Sequence, residues 1–287
     1  MVQDVARLPG KVASPMPLLS VNGTELYFED TKDGGAPLLF SHGLLWSLRM
    51  YDAQVAHLRG RYRCVAYDHR GQGRSRDDGS SYDMEKLSDD AAQLIERLGM
   101  APCFFVGLSM GGFVGLRLAA RRPELLRGLV LIESAADAEP HGLKYRAMEL
   151  ITRRLGFSVL LAPIMKIMFG RSFLRDPARA SERRAMEGSI LALDPARTKR
   201  ALEAVVTRRG VEDLLPSIRV PTLVLHGAED AAIVEARARR SATLIPGALW
   251  VDLPRAGHTA TVEEPAAVNA ALDAFLSSVM DRAAPPP

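Results

Sequence analysis

The sequence predicts an α/β fold in which a mostly parallel β-sheet carries helices on both faces. Short apolar segments typical of buried strands alternate with longer segments whose apolar residues recur every three or four positions. Between about residues 137 and 215 the alternation stops and only helical patterns occur. Because parallel strands need crossover helices, the alternation predicts the sheet, and the interruption predicts a helical insertion.

The chain therefore divides into three parts: residues 1–136 and 216–287 form the two parts of the α/β core, and residues 137–215 form the insertion. Asn22-Gly23 separates the first two strand-like segments and favours a hairpin. The strand-like segments are 17–21, 24–29, 37–40, 63–67, 103–106, 127–132, 221–227 and 249–253. Helical patterns in the core cover 49–58, 84–98, 113–120, a segment from about 234, and 265–279.

Composition limits the functional classes. The 287 residues are 47% hydrophobic and 25% charged, as in ordinary globular proteins, and the net charge is only +3. The arginines are interleaved with acidic residues and lack aromatic stacking partners, so we expect no nucleic-acid binding. No apolar segment approaches the roughly 20 residues needed to cross a membrane. Residues 1–14 lack the apolar stretch of a secretory signal, so we expect a cytoplasmic protein. We expect it to be a monomer or a homodimer.

The two cysteines, Cys64 and Cys103, lie in strand-like apolar segments. Buried thiols in a reducing compartment explain them better than a disulfide or a second nucleophile. Neither cysteine has a histidine at a spacing typical of metal ligands. We therefore predict no metal site and no cofactor.

A candidate nucleophile lies between the strand that ends at Val106 and the helix that begins near Phe113. The intervening residues, Gly107-Leu108-Ser109-Met110-Gly111-Gly112, place glycine two positions before and two positions after a serine. This spacing is typical of a nucleophile elbow, a sharp turn that raises the serine hydroxyl above the sheet. Ser109 would then have a strained backbone, and larger residues at 107 or 111 would collide with neighbouring elements.

A serine nucleophile needs a base and an acid that orients the base. His258 follows the last predicted strand, so it lies at the carboxyl edge of the sheet, where active sites collect in open α/β folds. Asp230 follows the preceding strand and can reach the Nδ1 side of His258. Glu133, at the end of another strand, is the alternative acid. We favour Asp230, because serine, aspartate and histidine then occur in the chain order typical of this triad.

Two backbone N–H groups are needed to stabilise an oxyanion. Met110, at the start of the helix after the serine, supplies one of them. The second is predicted at Leu44, since His42-Gly43 allows the chain to bend after the strand 37–40. The side chains of both residues would line the pocket.

Together these motifs resemble the α/β-hydrolase superfamily. They comprise His42-Gly43, Asp68-x-Arg70-Gly71-x-Gly73-x-Ser75, the elbow, Gly227-x-x-Asp230 and Gly257-His258. The resemblance implies an eight-stranded, mostly parallel sheet, with the insertion as a helical cap over the active site. It makes the Asp68–Ser75 segment a structural loop. The elbow is similar to that of the 3-oxoadipate enol-lactonase group, and related carboxylesterases and cofactor-free perhydrolases carry close variants.

The sequence therefore predicts a serine hydrolase that cleaves small-to-medium carboxylic esters or lactones. C–C hydrolysis of ring-cleavage products, perhydrolysis, and ligand binding without catalysis are the alternatives. Met148, Met165, Met168 and Phe169 of the cap, with Leu45 and Trp46, are candidates for an apolar pocket, although the same helical spacing is also typical of the cap's own core. Arg146 and His141 are candidates for receiving a substrate carboxylate.

Overall fold

Eight strands form a single sheet in the order β1-β2-β4-β3-β5-β6-β7-β8 in a computed structural model that describes residues 18–283. The strands are β1 (Leu18–Val21), β2 (Thr24–Asp30), β3 (Pro37–Ser41), β4 (Arg63–Tyr67), β5 (Cys103–Leu108), β6 (Leu126–Ile132), β7 (Thr222–Gly227) and β8 (Leu249–Leu253). Strand β2 is antiparallel to β1 and β4, and all pairs from β4 to β8 are parallel. This topology confirms the predicted α/β class.

The parallel strands are buried on both faces because helices cover each side. Strand β5, at the centre, is buried at every position, as expected for the middle of a parallel sheet. The core helices are α1 (Asp52–Leu58), α2 (Met84–Arg97), α3 (Met110–Arg121), α9 (Glu235–Leu244), α10 (Ala260–Glu263) and α11 (Pro265–Ala283). Apolar residues of α2, α3 and α9 pack on one face, and those of α1 and α11 pack on the other.

Residues 137–215 contain five α-helices and no strand. These helices are α4 (Gly142–Leu155), α5 (Leu161–Met168), α6 (Arg171–Arg175), α7 (Ala180–Leu191) and α8 (Pro195–Val206). Helices α4 and α8 pack against each other. Buried residues of α5, such as Ile164 and Met168, join the apolar cluster on the α1 and α11 side of the sheet. The insertion is thus packed onto the core.

Several element boundaries differ from the sequence prediction, among them those of two helices. The helix expected over 49–58 begins as a 3₁₀ turn, Leu48–Tyr51, before α1, because the Ser47 side chain accepts a hydrogen bond from the Arg49 N–H and sets the tighter start. The final helix, expected to end at 279, continues to Ala283. None of the described helices is long and apolar enough to cross a membrane. The segment inspected for a secretory signal, residues 1–14, lies outside the described range.

Candidate active site

The elbow turn forces Ser109 into a left-handed backbone conformation. Its φ is 51°, a value that L-residues adopt only when the surrounding structure imposes it. A Cβ at Gly107 would lie 2.4 Å from the backbone carbon of Gly111, and one at Gly111 would lie 1.9 Å from the carbonyl oxygen of Ser41. Both glycines are therefore needed for the close packing of β3, β5 and α3 that holds the serine.

Ser109, His258 and Asp230 form one hydrogen-bonded chain. The Ser109 Oγ lies 2.9 Å from His258 Nε2, and His258 Nδ1 lies 2.8 Å from Asp230 Oδ2. Since a carboxylate only accepts, the imidazole carries its proton on Nδ1, which leaves Nε2 free to accept the serine proton. Asp230 Oδ1 also accepts hydrogen bonds from the N–H groups of Ala232 and Ile233. The arrangement orients a base toward a nucleophile.

Asp230 and the alternative acid Glu133 lie in the same buried cluster, but their environments separate their pKa values. Burial by itself would raise the pKa of Asp230, but the charge and hydrogen bond of His258 and the N–H of Ile233 lower it overall. Burial, followed by the charge of Asp230, raises the pKa of Glu133 well above its usual range. Both Glu133 oxygens lie within 3.0 Å of the Gly227 N–H rather than at His258. The geometry therefore pairs His258 with Asp230 and leaves Glu133 as a neutral acid beneath it.

His226 completes this cluster. Its Nδ1 lies 3.0 Å from Glu133 Oε2, but outside hydrogen-bond geometry, and in the described part of the chain both of its ring nitrogens lack a hydrogen-bond partner. Burial lowers the pKa of His226, so it is neutral. Glu133, His226 and Asp230 place potential ligand atoms within 4.8 Å of one another. A cation here would compete with His258 for Asp230, whose two oxygens already accept three hydrogen bonds.

Glu133→Gln is expected to gain stability relative to the wild type as the pH rises. The folded-state pKa of Glu133 is raised above 4.5, so above pH 4.5 the unfolded chain releases a proton that the folded chain retains. The wild-type free energy of unfolding then falls relative to the variant, by up to about 1.4 kcal/mol per pH unit until the folded-state pKa is reached. Urea unfolding at pH 5, 6, 7 and 8 measures the difference. A difference that stays constant with pH would mean that Glu133 is ionised in the fold.

The backbone amides of Leu44 and Met110 are the predicted oxyanion donors. Met110 is the first residue of α3, directly after the serine, where the helix dipole favours negative charge. Within residues 18–283 neither amide donates a hydrogen bond, so both are available to a substrate oxygen. The Leu44 side chain lines the cavity beside Ser109. That of Met110 does not, contrary to the prediction, because it is fully buried in the apolar cluster that contains α2 and α3, with its sulfur 3.9 Å from Gln72 Nε2.

His42 and Asp68 hold the loop that carries Leu44. His42 Nδ1 donates to the carbonyl oxygen of Gly43 at 2.8 Å, and its Nε2 accepts from the N–H of His69 at 3.1 Å. Asp68 accepts from the N–H of Leu48 at 2.8 Å. Because burial lowers the pKa of His42, the ring is neutral and has a structural role. The Asp68 loop likewise makes structural contacts.

Glu263 joins the loop of His258 to the insertion, and sequence reasoning missed it. Its Oε2 accepts from the N–H groups of Gly170 and Gly257 at 2.7 and 3.0 Å, and its Oε1 accepts from Thr259 N–H at 2.9 Å. A Cβ at Gly257 would lie 2.1 Å from the backbone nitrogen of Gly170. Burial raises the pKa of Glu263 to about 7, and the three N–H donors oppose that rise.

Glu263→Gln is expected to lower both kcat and thermal stability. A glutamine has one acceptor oxygen, so its NH₂ group must face an N–H donor on one side, at a cost of about 3 kcal/mol for a lost charge-assisted bond. Because two of the donors flank His258, kcat should fall more than KM rises. The test is kinetics and thermal unfolding at pH 8, with Glu264→Gln as control, since within the described range the Glu264 carboxylate makes only a 3.7 Å pair with Arg255. Equal effects of the two substitutions would contradict this role.

A single cavity of about 910 Å³, including its opening to solvent, contains Ser109 and His258 in its lining. Of the predicted pocket residues, Leu45, Met148 and Met168 line it. Trp46, Met165 and Phe169 do not: Trp46 packs edge-on against Phe169 with ring centroids 5.7 Å apart, and Met165 is buried in the same apolar cluster. The helical spacing identified apolar positions of the cap without distinguishing its core from the cavity wall.

The candidates for binding a substrate carboxylate lie elsewhere. The Arg146 side chain is half exposed and pairs with Glu203 at 2.8 Å, and His141 is exposed before α4. Neither residue lines the cavity. Five polar side chains that the sequence analysis did not single out line it instead: Glu139, Tyr145, Glu149, Thr152 and Thr198.

Comparison with known proteins is consistent with this geometry. A family model described as the alpha/beta hydrolase fold matches residues 36–265. A thermophilic esterase from Thermogutta terrifontis, solved with malate bound, superposes with a TM-score of 0.84 at 29% identity over 93% of this chain and 99% of its own. The enol-lactonase from Burkholderia xenovorans gives 0.83 at 28% identity over 91% and 100%. A non-heme haloperoxidase from Rhodococcus erythropolis is 30% identical over 92% of this chain and 100% of its length.

Proposed function

Because the chain belongs to the α/β-hydrolase fold family, we propose that it is a serine hydrolase of small-to-medium carboxylic esters or lactones. The observation that carries the proposal is the hydrogen-bonded chain from Ser109 through His258 to Asp230 at an apolar cavity. A weakly nucleophilic hydroxyl requires such a base and such an orienting acid. The similarity to an esterase and an enol-lactonase supports this substrate class.

The proposed reaction has two halves. In the first, Ser109 Oγ attacks the acyl carbon, His258 Nε2 takes the hydroxyl proton, and the amides of Leu44 and Met110 stabilise the oxyanion. As the acyl–oxygen bond breaks, His258 returns that proton to the leaving alcohol. In the second half, His258 takes a proton from water, which attacks the acyl-enzyme, and Ser109 leaves with the proton restored. Asp230 stabilises the imidazolium in both halves.

The insertion supplies most of the proposed acyl pocket. Helices α4, α5 and α8 contribute Met148, Met168 and Leu202 to the cavity, opposite Leu44 and Ser109 of the core. Apolar walls of this kind accept an alkyl or aryl acyl group and exclude bulk water from the acyl-enzyme.

The test is a substrate panel: p-nitrophenyl butyrate, a δ-lactone, a dienolate ring-cleavage product, and acetate with peroxide. We expect turnover of the ester or the lactone, and an acid-quenched protein whose mass includes one acyl group on Ser109. Turnover of the dienolate alone would replace the proposal with C–C hydrolysis, and peracid formation alone would replace it with perhydrolysis. Folded protein that binds these compounds without turnover would instead support a ligand-binding role.

A further inference from the structure

The lining of the proposed acyl cavity includes two carboxylates. Among the described residues that line it there are two glutamates, Glu139 and Glu149, and neither lysine nor arginine. The rest of the surface is mainly apolar, with Leu45, Met148 and Ile167 among its members. In so apolar a cavity, a carboxylate interacts with a substrate charge more strongly than it does in water.

The two carboxylates differ in the hydrogen bonds that neighbouring groups donate to them. Glu139 accepts from Arg208 Nη1 at 3.0 Å and from the N–H of His141 at 3.0 Å, so Arg208 balances its charge. Arg208 itself stacks on the far side of Phe113, 4.1 Å from the ring centroid, and does not line the cavity.

Glu149 is less well satisfied. Its side chain is 13% exposed, and its Oε1 is buried without a hydrogen-bond partner among residues 18–283. Arg153 Nε lies 3.3 Å from this oxygen, but outside hydrogen-bond geometry and on a half-exposed side chain of the same helix. Because Glu149 lines the cavity, a cationic or hydrogen-bond-donating group of a ligand there would interact favourably with its carboxylate.

From this arrangement we propose that Glu149 is a specificity-determining residue, and that the cavity selects acyl groups with a distal cationic or hydrogen-bond-donating substituent. Acyl groups that end in a carboxylate are disfavoured, because they would meet two carboxylates and no cation. This inference rests on the proposed ester or lactone hydrolysis and narrows its substrate class.

Three p-nitrophenyl esters of equal acyl length test the proposal: their chains end in methyl, carboxylate or trimethylammonium. Each kcat/KM is divided by the hydroxide-catalysed rate of the same ester, which removes differences in intrinsic reactivity. At low salt, where screening is weak, we expect the cationic ester to exceed the anionic ester by at least about tenfold. In Glu149→Gln this ratio should fall toward one.

Glu203→Gln is the matched control, because it removes the same charge from the exposed surface of α8, outside the cavity lining. It should keep the wild-type ratio. The inference is overturned if the anionic ester reacts as well as the cationic one, or if the ratio of their rates is unchanged in Glu149→Gln. In either case, hydrolysis of the neutral ester still supports the proposed function. If neither these three esters nor the δ-lactone reacts, the proposed function fails. Titration calorimetry of Ser109→Ala with hexyltrimethylammonium and with hexanoate then measures whether the cavity prefers a cation to an anion. Tighter binding of hexanoate overturns the inferred preference for a cation.

Discussion

Replacing Ser109 by alanine is expected to lower kcat for ester hydrolysis by about 10⁶-fold, the scale of loss when the serine of such a triad is removed. The substitution deletes the only atom that joins His258 Nε2 to the acyl carbon in the proposed reaction, while the cavity and the two amides remain. The residual rate then reflects only substrate binding and oxyanion stabilisation. Release of p-nitrophenolate from p-nitrophenyl butyrate by wild type and variant measures the ratio.

Ser278→Ala is a suitable control for this experiment. Its hydroxyl donates to the carbonyl oxygen of Phe275 within α11, away from the cavity, so its removal should leave kcat unchanged. The Ser109 variant should also retain the thermal stability of the wild type, because among the described residues the Ser109 hydroxyl forms a hydrogen bond only with His258. Ester turnover that survives in a folded Ser109→Ala protein would show that another group is the nucleophile.

Sequence reasoning found the elbow because its determinants are local. The close contact of Gly107 with Gly111 and the left-handed Ser109 are set within five consecutive residues, so their spacing can be read directly. His258 and Asp230 were predicted as base and acid by the next simplest rule, that loops after parallel strands meet at one edge of the sheet. The alternation of strands and helices likewise predicted the sheet that brings these loops together.

The remaining features depend on contacts between segments distant in sequence. Glu263 lies on a short helix with no motif around it, and its role becomes visible only when Gly170 of the insertion approaches the His258 loop. Glu149 and Met148 are adjacent on α4, and both line the cavity. Periodicity does not reveal which helix face lines a cavity, because the cap core and the cavity wall both require apolar residues, as Met165 and Met168 illustrate.

Asp230→Asn is expected to lower kcat by about 10⁴-fold, by the same reasoning that applies to the acid of other Ser-His-Asp triads. An asparagine with its NH₂ group toward His258 cannot accept from Nδ1–H, so the imidazole takes the tautomer that is protonated on Nε2. That nitrogen no longer accepts the proton of Ser109. Rates with p-nitrophenyl butyrate, measured on protein whose thermal unfolding matches that of the wild type, test this expectation.

The paired variant Glu133→Gln separates the two candidate acids. Its carbonyl oxygen can still accept from the Gly227 N–H, and its NH₂ group replaces the carboxyl proton that a neutral Glu133 holds beside Asp230. Activity should therefore stay within about threefold of the wild type, as expected for an isosteric change that conserves the hydrogen bonds.

If Glu133→Gln is instead as inactive as Asp230→Asn, the buried pair functions as one unit and the charge is shared between the two carboxyl groups. If Asp230→Asn remains active and Glu133→Gln does not, Glu133 serves as the acid. Such an exchange is close at hand, because the potential ligand atoms of Glu133, His226 and Asp230 all lie within 4.8 Å of one another. The expected pattern, a large loss at Asp230 and little change at Glu133, follows from their different partners. Asp230 accepts three N–H groups that stabilise its charge, whereas the single N–H that Glu133 accepts does not offset the cost of burying a charge.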